Sequence, residues 1–175
     1  AAQRTMELFV LGLSHKTAPI DVREHLAIPE RELPKALEVL GEVPALAERM
    51  FFTTCNRAEV YGVAEGPLAM AVEATRASLE RYRNLDSSAL AGALYTYDGA
   101  EAVRHVFRVA SSLDSMVVGE PQILGQVKAA YSVARSQQAT GIILNNLLEQ
   151  AFHVAKRVRT ETGIATAPVS ISSVA

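Results

Sequence analysis

Apolar positions along the chain change period several times, and the changes mark out its elements. Residues 8–13, LFVLGL, are one unbroken apolar run closed by polar SHKT. This pattern predicts a central strand buried on both faces. Between Ile20 and Leu40 the pattern turns charged and helical, with Pro29, Pro34 and Gly41 limiting it, so two short helices are expected there. RMFFTT (49–54) and AEVYGVA (58–64) are rich in aromatic and β-branched residues. They read as a hairpin closed by the three residues Cys55, Asn56 and Arg57.

Pro67 opens a predicted helix with Leu68, Val72, Thr75, Leu79 and Tyr82 along one stripe. A short strand follows at 94–97, ending in Asp98, which forms an expected helix-capping pair with Glu101. Helices are then predicted over 99–110, 121–138 and 142–161, the last stopped by Gly163. The order predicts an α+β fold, a ferredoxin-like split β-α-β-β-α-β antiparallel sheet followed by a helical subdomain. We divide the chain into an α/β unit at 1–98, a helical unit at 99–165 and a linker at 166–175.

In that topology the end of the first strand lies on the same sheet edge as the hairpin, so Ser14, His15 and Lys16 should neighbour Cys55. The fourth strand ends at the opposite edge. The helix after it climbs back by roughly 18 Å and should deliver the loop SSLDS (111–115) to the cysteine edge.

Composition narrows the classes. With 49% hydrophobic residues among 175, the chain can bury a real core, and a net charge of −2 excludes the broadly basic balance of a general nucleic-acid binder. One cysteine forms no internal disulfide, which suits a reducing compartment, and the cytoplasm is the expected location. No apolar run has the length of a membrane span, and AAQRT has no signal-peptide character. Cys55 and the four histidines lack metal-ligand spacing, and neither a G-x-G-x-x-G nor a Walker loop occurs. No metal site is expected.

Four candidates remain for chemistry. Cys55 reads either as a small packing residue or as a nucleophile, its thiolate favoured by Arg57 nearby. Arg57 itself can fork onto Glu59 or onto a ligand carboxylate. His105 falls opposite the stripe of Val103, Val106, Phe107 and Ala110, so it reads as a residue of a solvated face or as a proton-transfer group. Gln122 and Gln126 stand one turn apart after Gly119, Glu120 and Pro121, as capping chemistry or as a cradle for a small zwitterion. Lys156, Arg157 and Arg159 read as a solvated helix end or as an RNA contact.

Three motifs, GLSHKTAPIDVRE, TTCNRAEVY and ASSLDSMVVGEPQILGQVKAAY, coincide in order. Together they resemble the N-terminal catalytic domain of the glutamyl-tRNA reductase family over most of residues 6–174. The resemblance implies NADPH-dependent reduction of glutamyl-tRNA to glutamate-1-semialdehyde, the first step of five-carbon tetrapyrrole biosynthesis, without a metal. It implies Cys55 as nucleophile and His105 as a second catalytic residue. Thr54, Asn56, Arg57, Ser115, Glu120, Pro121, Gln122 and Gln126 match its substrate-contacting positions, with Arg57 as the fork for the substrate carboxylate. The family continues into an NADPH-binding domain and a dimerisation domain. This chain is therefore expected to be a piece that forms the thioester without carrying hydride.

Implied partners are glutamyl-tRNA, a second copy of the full-length protein and a downstream semialdehyde aminotransferase, with the plastid stroma as location in a plant. Two other readings stay open: a non-catalytic module that binds tRNA or a regulator, and a thiol-dependent esterase.

Overall fold

The computed structural model describes residues 4–162. The tail from residue 163, including the expected stop at Gly163 and the linker at 166–175, lies outside them. The elements are β1 (Met6–Ser14), α1 (Ile20–Leu26), a 3₁₀ turn (Glu30–Glu32), α2 (Leu33–Leu40), β2 (Leu46–Thr54), β3 (Arg57–Glu65), α3 (Leu68–Tyr82), β4 (Tyr95–Asp98), α4 (Gly99–Ala110), α5 (Gln122–Ser136) and α6 (Ile142–Thr162).

The strands form one sheet in the order β2-β3-β1-β4, antiparallel at every pairing, which is the expected split topology. Strands β1 and β3 lie inside it, and β3 is buried from Arg57 to Ala64. Alternation of side chains gives each sheet face its own cover. Arg49 on β2 points to one face, where its Nε donates to the Leu37 carbonyl (2.8 Å) and α2 and α3 pack. Glu48, Glu59 and Tyr97 point to the other face, under α4 and α6. The helical segment after β4 thus supplies the second cover, which is why β1 reads as a continuous apolar run.

Helix α5 runs beside the edge strand β2, where the Arg49 N–H donates to the Ala139 carbonyl at 2.8 Å and occupies an otherwise open ladder position. The start of α6 is satisfied from the sheet. The buried Glu48 carboxylate accepts from the backbone N–H groups of Gly141 (2.5 Å), Leu144 (2.9 Å) and Ile143 (3.3 Å). Among the described residues no helix is long and apolar enough to cross a membrane.

Two local expectations are corrected. The hairpin loop has two residues, not three, because Arg57 pairs with both Thr54 and Ser14 as the first residue of β3. The Asp98 side chain does not cap α4: Asp98 is the last residue of β4, and Glu101 instead pairs with Arg104 on its own helix.

Candidate active site

Cys55 and Asn56 form the hairpin tip, and Cys55 is exposed. Its backbone is braced from three sides. Asn56 N–H donates to Thr54 Oγ1 (3.1 Å), the Asn56 carbonyl accepts from His15 N–H (2.8 Å), and Arg23 Nε donates to the Cys55 carbonyl (3.3 Å). A second bond, from Arg23 Nη1 to the Ala18 carbonyl at 2.7 Å, fixes that guanidinium in turn. The packing reading of Cys55 therefore fails. Cys55 stands at the surface on a backbone held by these hydrogen bonds.

Behind the tip, Arg57, Glu59 and Tyr61 alternate onto one face of β3, an unusual trio for a fully buried strand. The Arg57 side chain is 4% exposed and Glu59 is fully buried, with Nη1 and Oε1 3.4 Å apart. Arg57 Nη2 donates to the Asp114 carbonyl (2.7 Å) and to Asp114 Oδ2 (2.9 Å), while Lys16 Nζ donates to Asp114 Oδ1 (2.6 Å). Glu59 accepts from Tyr61 (3.1 Å), Tyr95 (2.5 Å) and His105 Nε2. Room for this cluster comes from Gly12, opposite Glu59 on β1. A Cβ on Gly12 would stand 2.5 Å from the Ala58 carbonyl oxygen and 2.7 Å from Glu59 Cγ.

Electrostatics follow from these contacts. Burial disfavours the Glu59 charge, but the bonds and charges of His105 and Arg57 outweigh it and hold the carboxyl below its usual range. Asp114 is held low in the same way, burial being overcome by Lys16 and Arg57. Burial also opposes the Arg57 charge, and Glu59 and Asp114 reverse that, so the guanidinium stays protonated. Burial and the Glu59 charge push the Tyr61 and Tyr95 hydroxyls up, keeping both as neutral donors. His15 is pushed toward the neutral imidazole by burial and by Arg57 and Lys16, and its Nδ1 is buried without a hydrogen-bond partner.

His105 corrects the helical-wheel reading. Its side chain is 10% exposed, bonded to Glu59 and seated against Tyr97 and Tyr95 at ring-centroid distances of 4.7 and 5.6 Å. The reason is that α4 packs on two sides. Val103 and Phe107 face α6 along a groove shared with Leu8 and Leu147, while His105, on the flank beside Ala102 and Val109, reaches the sheet.

Asp114 confirms that α4 delivers its trailing loop to the cysteine edge. That loop is closed at its neck by Ser112 Oγ donating to the Glu120 carbonyl (2.6 Å) and Gly119 N–H donating to the Ser112 carbonyl (3.1 Å). Ser112 and Gly119 both take left-handed backbone conformations, φ 60° and 85°. Ser115 and Glu120 are half-buried; Pro121, Gln122 and Gln126 are exposed. Gln126 shares a recess beside β2 with Thr53, Glu30 and Leu33. Among the described residues no side-chain hydrogen bond joins Ser115, Gln122 or Gln126 to the hairpin, so the linked cluster is Lys16, Arg57, Glu59, Asp114 and His105.

Sequence reasoning missed Asp114, Tyr61, Tyr95 and Arg23 as parts of this cluster. Only Tyr61 left a signal: beside Arg57 and Glu59 it is a polar group at an inward position of β3, and such groups demand partners. No group of three or more His, Cys, Asp or Glu among the described residues is placed to hold a metal ion.

Comparison with known proteins shows the family of the chain. The description "Glutamyl-tRNAGlu reductase, N-terminal domain" matches residues 11–162. The chain is 52% identical over 173 residues to glutamyl-tRNA reductase 2 of Koribacter versatilis, covering 97% of this chain and 38% of that protein. It is 51% identical over 170 residues to glutamyl-tRNA reductase of Xanthomonas axonopodis pv. citri, again 97% of this chain and 38% of the relative. Among solved structures it is similar to glutamyl-tRNA reductase from Methanopyrus kandleri, with a TM-score of 0.74 and 34% identity, covering 95% of this chain and 37% of that one. The chain thus spans about two fifths of the length of these relatives. It belongs to the glutamyl-tRNA reductase family and corresponds to the N-terminal domain of that family.

Proposed function

We propose that this chain carries the acyl-transfer half of glutamyl-tRNA reduction, with Cys55 as the nucleophile. The observation that supports this most is the exposed thiol on a braced two-residue turn, directly beside a buried charge network. The Cys55 thiolate attacks the ester carbonyl carbon of glutamyl-tRNA. A carbon–sulfur bond forms, the bond to the ribose oxygen breaks, and that oxygen takes a proton as the tRNA leaves. Glutamate remains as a thioester. His105, hydrogen-bonded through Nε2 to Glu59, is the proton-transfer group in this reading.

Thr54, Asn56 and Arg57 line the glutamate pocket in this reading. Arg57, whose Nη2 is held by Asp114 and whose Nη1 faces Glu59 at 3.4 Å, is the fork for the substrate carboxylate in this reading. Ser115, Glu120, Pro121, Gln122 and Gln126 contact the same substrate from the loop and from α5. Reduction to the semialdehyde draws hydride from NADPH and begins tetrapyrrole synthesis. The described residues do not fit that cofactor: the sheet is antiparallel throughout and offers no strand, glycine-rich turn and helix unit between parallel strands.

Single-turnover discharge tests the reading. Mixed with charged glutamyl-tRNA, the chain should release one equivalent of uncharged tRNA per Cys55, and Cys55→Ser should release none. Binding without discharge by both proteins would instead favour a recognition module. Continued release beyond one equivalent by the unaltered chain marks hydrolysis of the thioester.

A further inference from the structure

We propose that the groove between α5 and the second half of α6 holds the sugar–phosphate backbone of the RNA that carries the ester. This rests on the acyl-transfer reading above and adds the surface that meets the nucleic acid.

The groove has a volume of about 720 Å³. Its floor is apolar, from Leu124 and Phe152, and its walls carry Lys128, His153, Lys156 and Arg159 against a single acid, Glu149. Lys128 Nζ sits 5.6 Å from the centroid of the Phe152 ring. None of its three permanent cations makes a salt bridge among the described residues, whereas Arg157, on the same helix but outside the groove, pairs with Glu161 at 3.1 Å. In a chain of net charge −2, this is positive charge gathered at one place and left unmatched. Cations over an aromatic floor are what a sugar–phosphate chain with exposed bases requires.

Placement relative to Cys55 favours the same occupant. The start of α5 follows the loop that Asp114 ties to Arg57, and Gln126 lies in the recess beside Thr53. Contacts pair Tyr131 with Asn145 and with Phe152, and Lys128 with Phe152, so the second half of α6 runs antiparallel toward the start of α5. The cationic groove therefore lies along the half of α5 that begins at the cysteine edge of the sheet. Lys156 and Arg159 are about one turn apart on α6, so both stand on the face that lines the groove.

Uncharged tRNA(Glu) is the probe, with affinity measured against salt for the chain and for K128Q/K156Q/R159Q. If the groove holds phosphates, the slope of log affinity on log salt falls in magnitude by about two to three, and affinity at low salt drops by at least about tenfold. R157Q, with one charge removed outside the groove, should stay within about twofold. Circular dichroism should show each variant folded. An unchanged slope in the triple variant, no RNA binding by the unaltered chain, or equal losses in R157Q would overturn the assignment. Acylation of Cys55 by a small glutamyl thioester separates the two levels. If it persists in the triple variant while the slope is unchanged, the groove is wrong and the nucleophile stands; if it fails in the unaltered chain, the acyl-transfer reading fails first.

Discussion

Replacing Glu59 with glutamine removes one negative charge from the fully buried centre of the site while keeping its volume. In the native chain this carboxylate accepts from Tyr61, Tyr95 and His105 and lies 3.4 Å from the Arg57 guanidinium. Removing one partner of a buried ion pair costs about 3–5 kcal/mol. Arg57 keeps both bonds to Asp114, which argues for the lower end, about 3 kcal/mol. With a urea m-value of about 2 kcal/mol/M, the midpoint should fall by about 1.5 M at pH 7.5. The pH dependence adds a sign. Because the folded-state pKa of Glu59 is depressed, its contribution is present above the unfolded carboxylate pKa and is lost as pH falls through the folded one. The gap between native and Glu59→Gln should therefore narrow below about pH 4. A midpoint shift under about 0.3 M at pH 7.5, or a gap that widens on acidification, would refute the ion-pair account.

Asp114→Asn should cost about 1–2 kcal/mol, since Arg57 retains the backbone carbonyl and Glu59; the loop between Ser112 and Glu120 should become cleavable by chymotrypsin, and Cys55 acylation should slow. Glu48→Gln weakens the acceptor for three N–H groups at the start of α6, so a loss of about 2 kcal/mol and a melting temperature lower by about 4–8 °C are expected. Gly12→Ala drives a methyl group into the Ala58 carbonyl and Glu59, so a loss of about 3 kcal/mol or failure to fold should appear in denaturant titration.

How legible the sequence is depends on the range of the interaction. Strand β1, the hairpin and the helices follow from short-range periodicity, and the split topology follows from their order. Even the approach of Lys16 and the loop after α4 to the cysteine could be reasoned from which sheet edge each element ends on. His105 could not be placed, because a helical wheel has one inside and α4 packs on two sides. Asp114 was invisible as a partner: it is fixed by a contact between residues 57 and 114 that no local spacing encodes. Arg57 was shifted by one position for a related reason. Its pairing with Ser14, a long-range ladder contact, extends β3 into what alone reads as the loop.

The central claim is that Cys55 accepts the glutamyl group. Intact-protein and peptide mass measurement after brief mixing with glutamyl-tRNA addresses it directly. The account predicts one added glutamyl group on the peptide containing Cys55, labile to hydroxylamine and absent from Cys55→Ser. An unmodified Cys55 peptide alongside discharged tRNA, or the same adduct on Cys55→Ser, would contradict it.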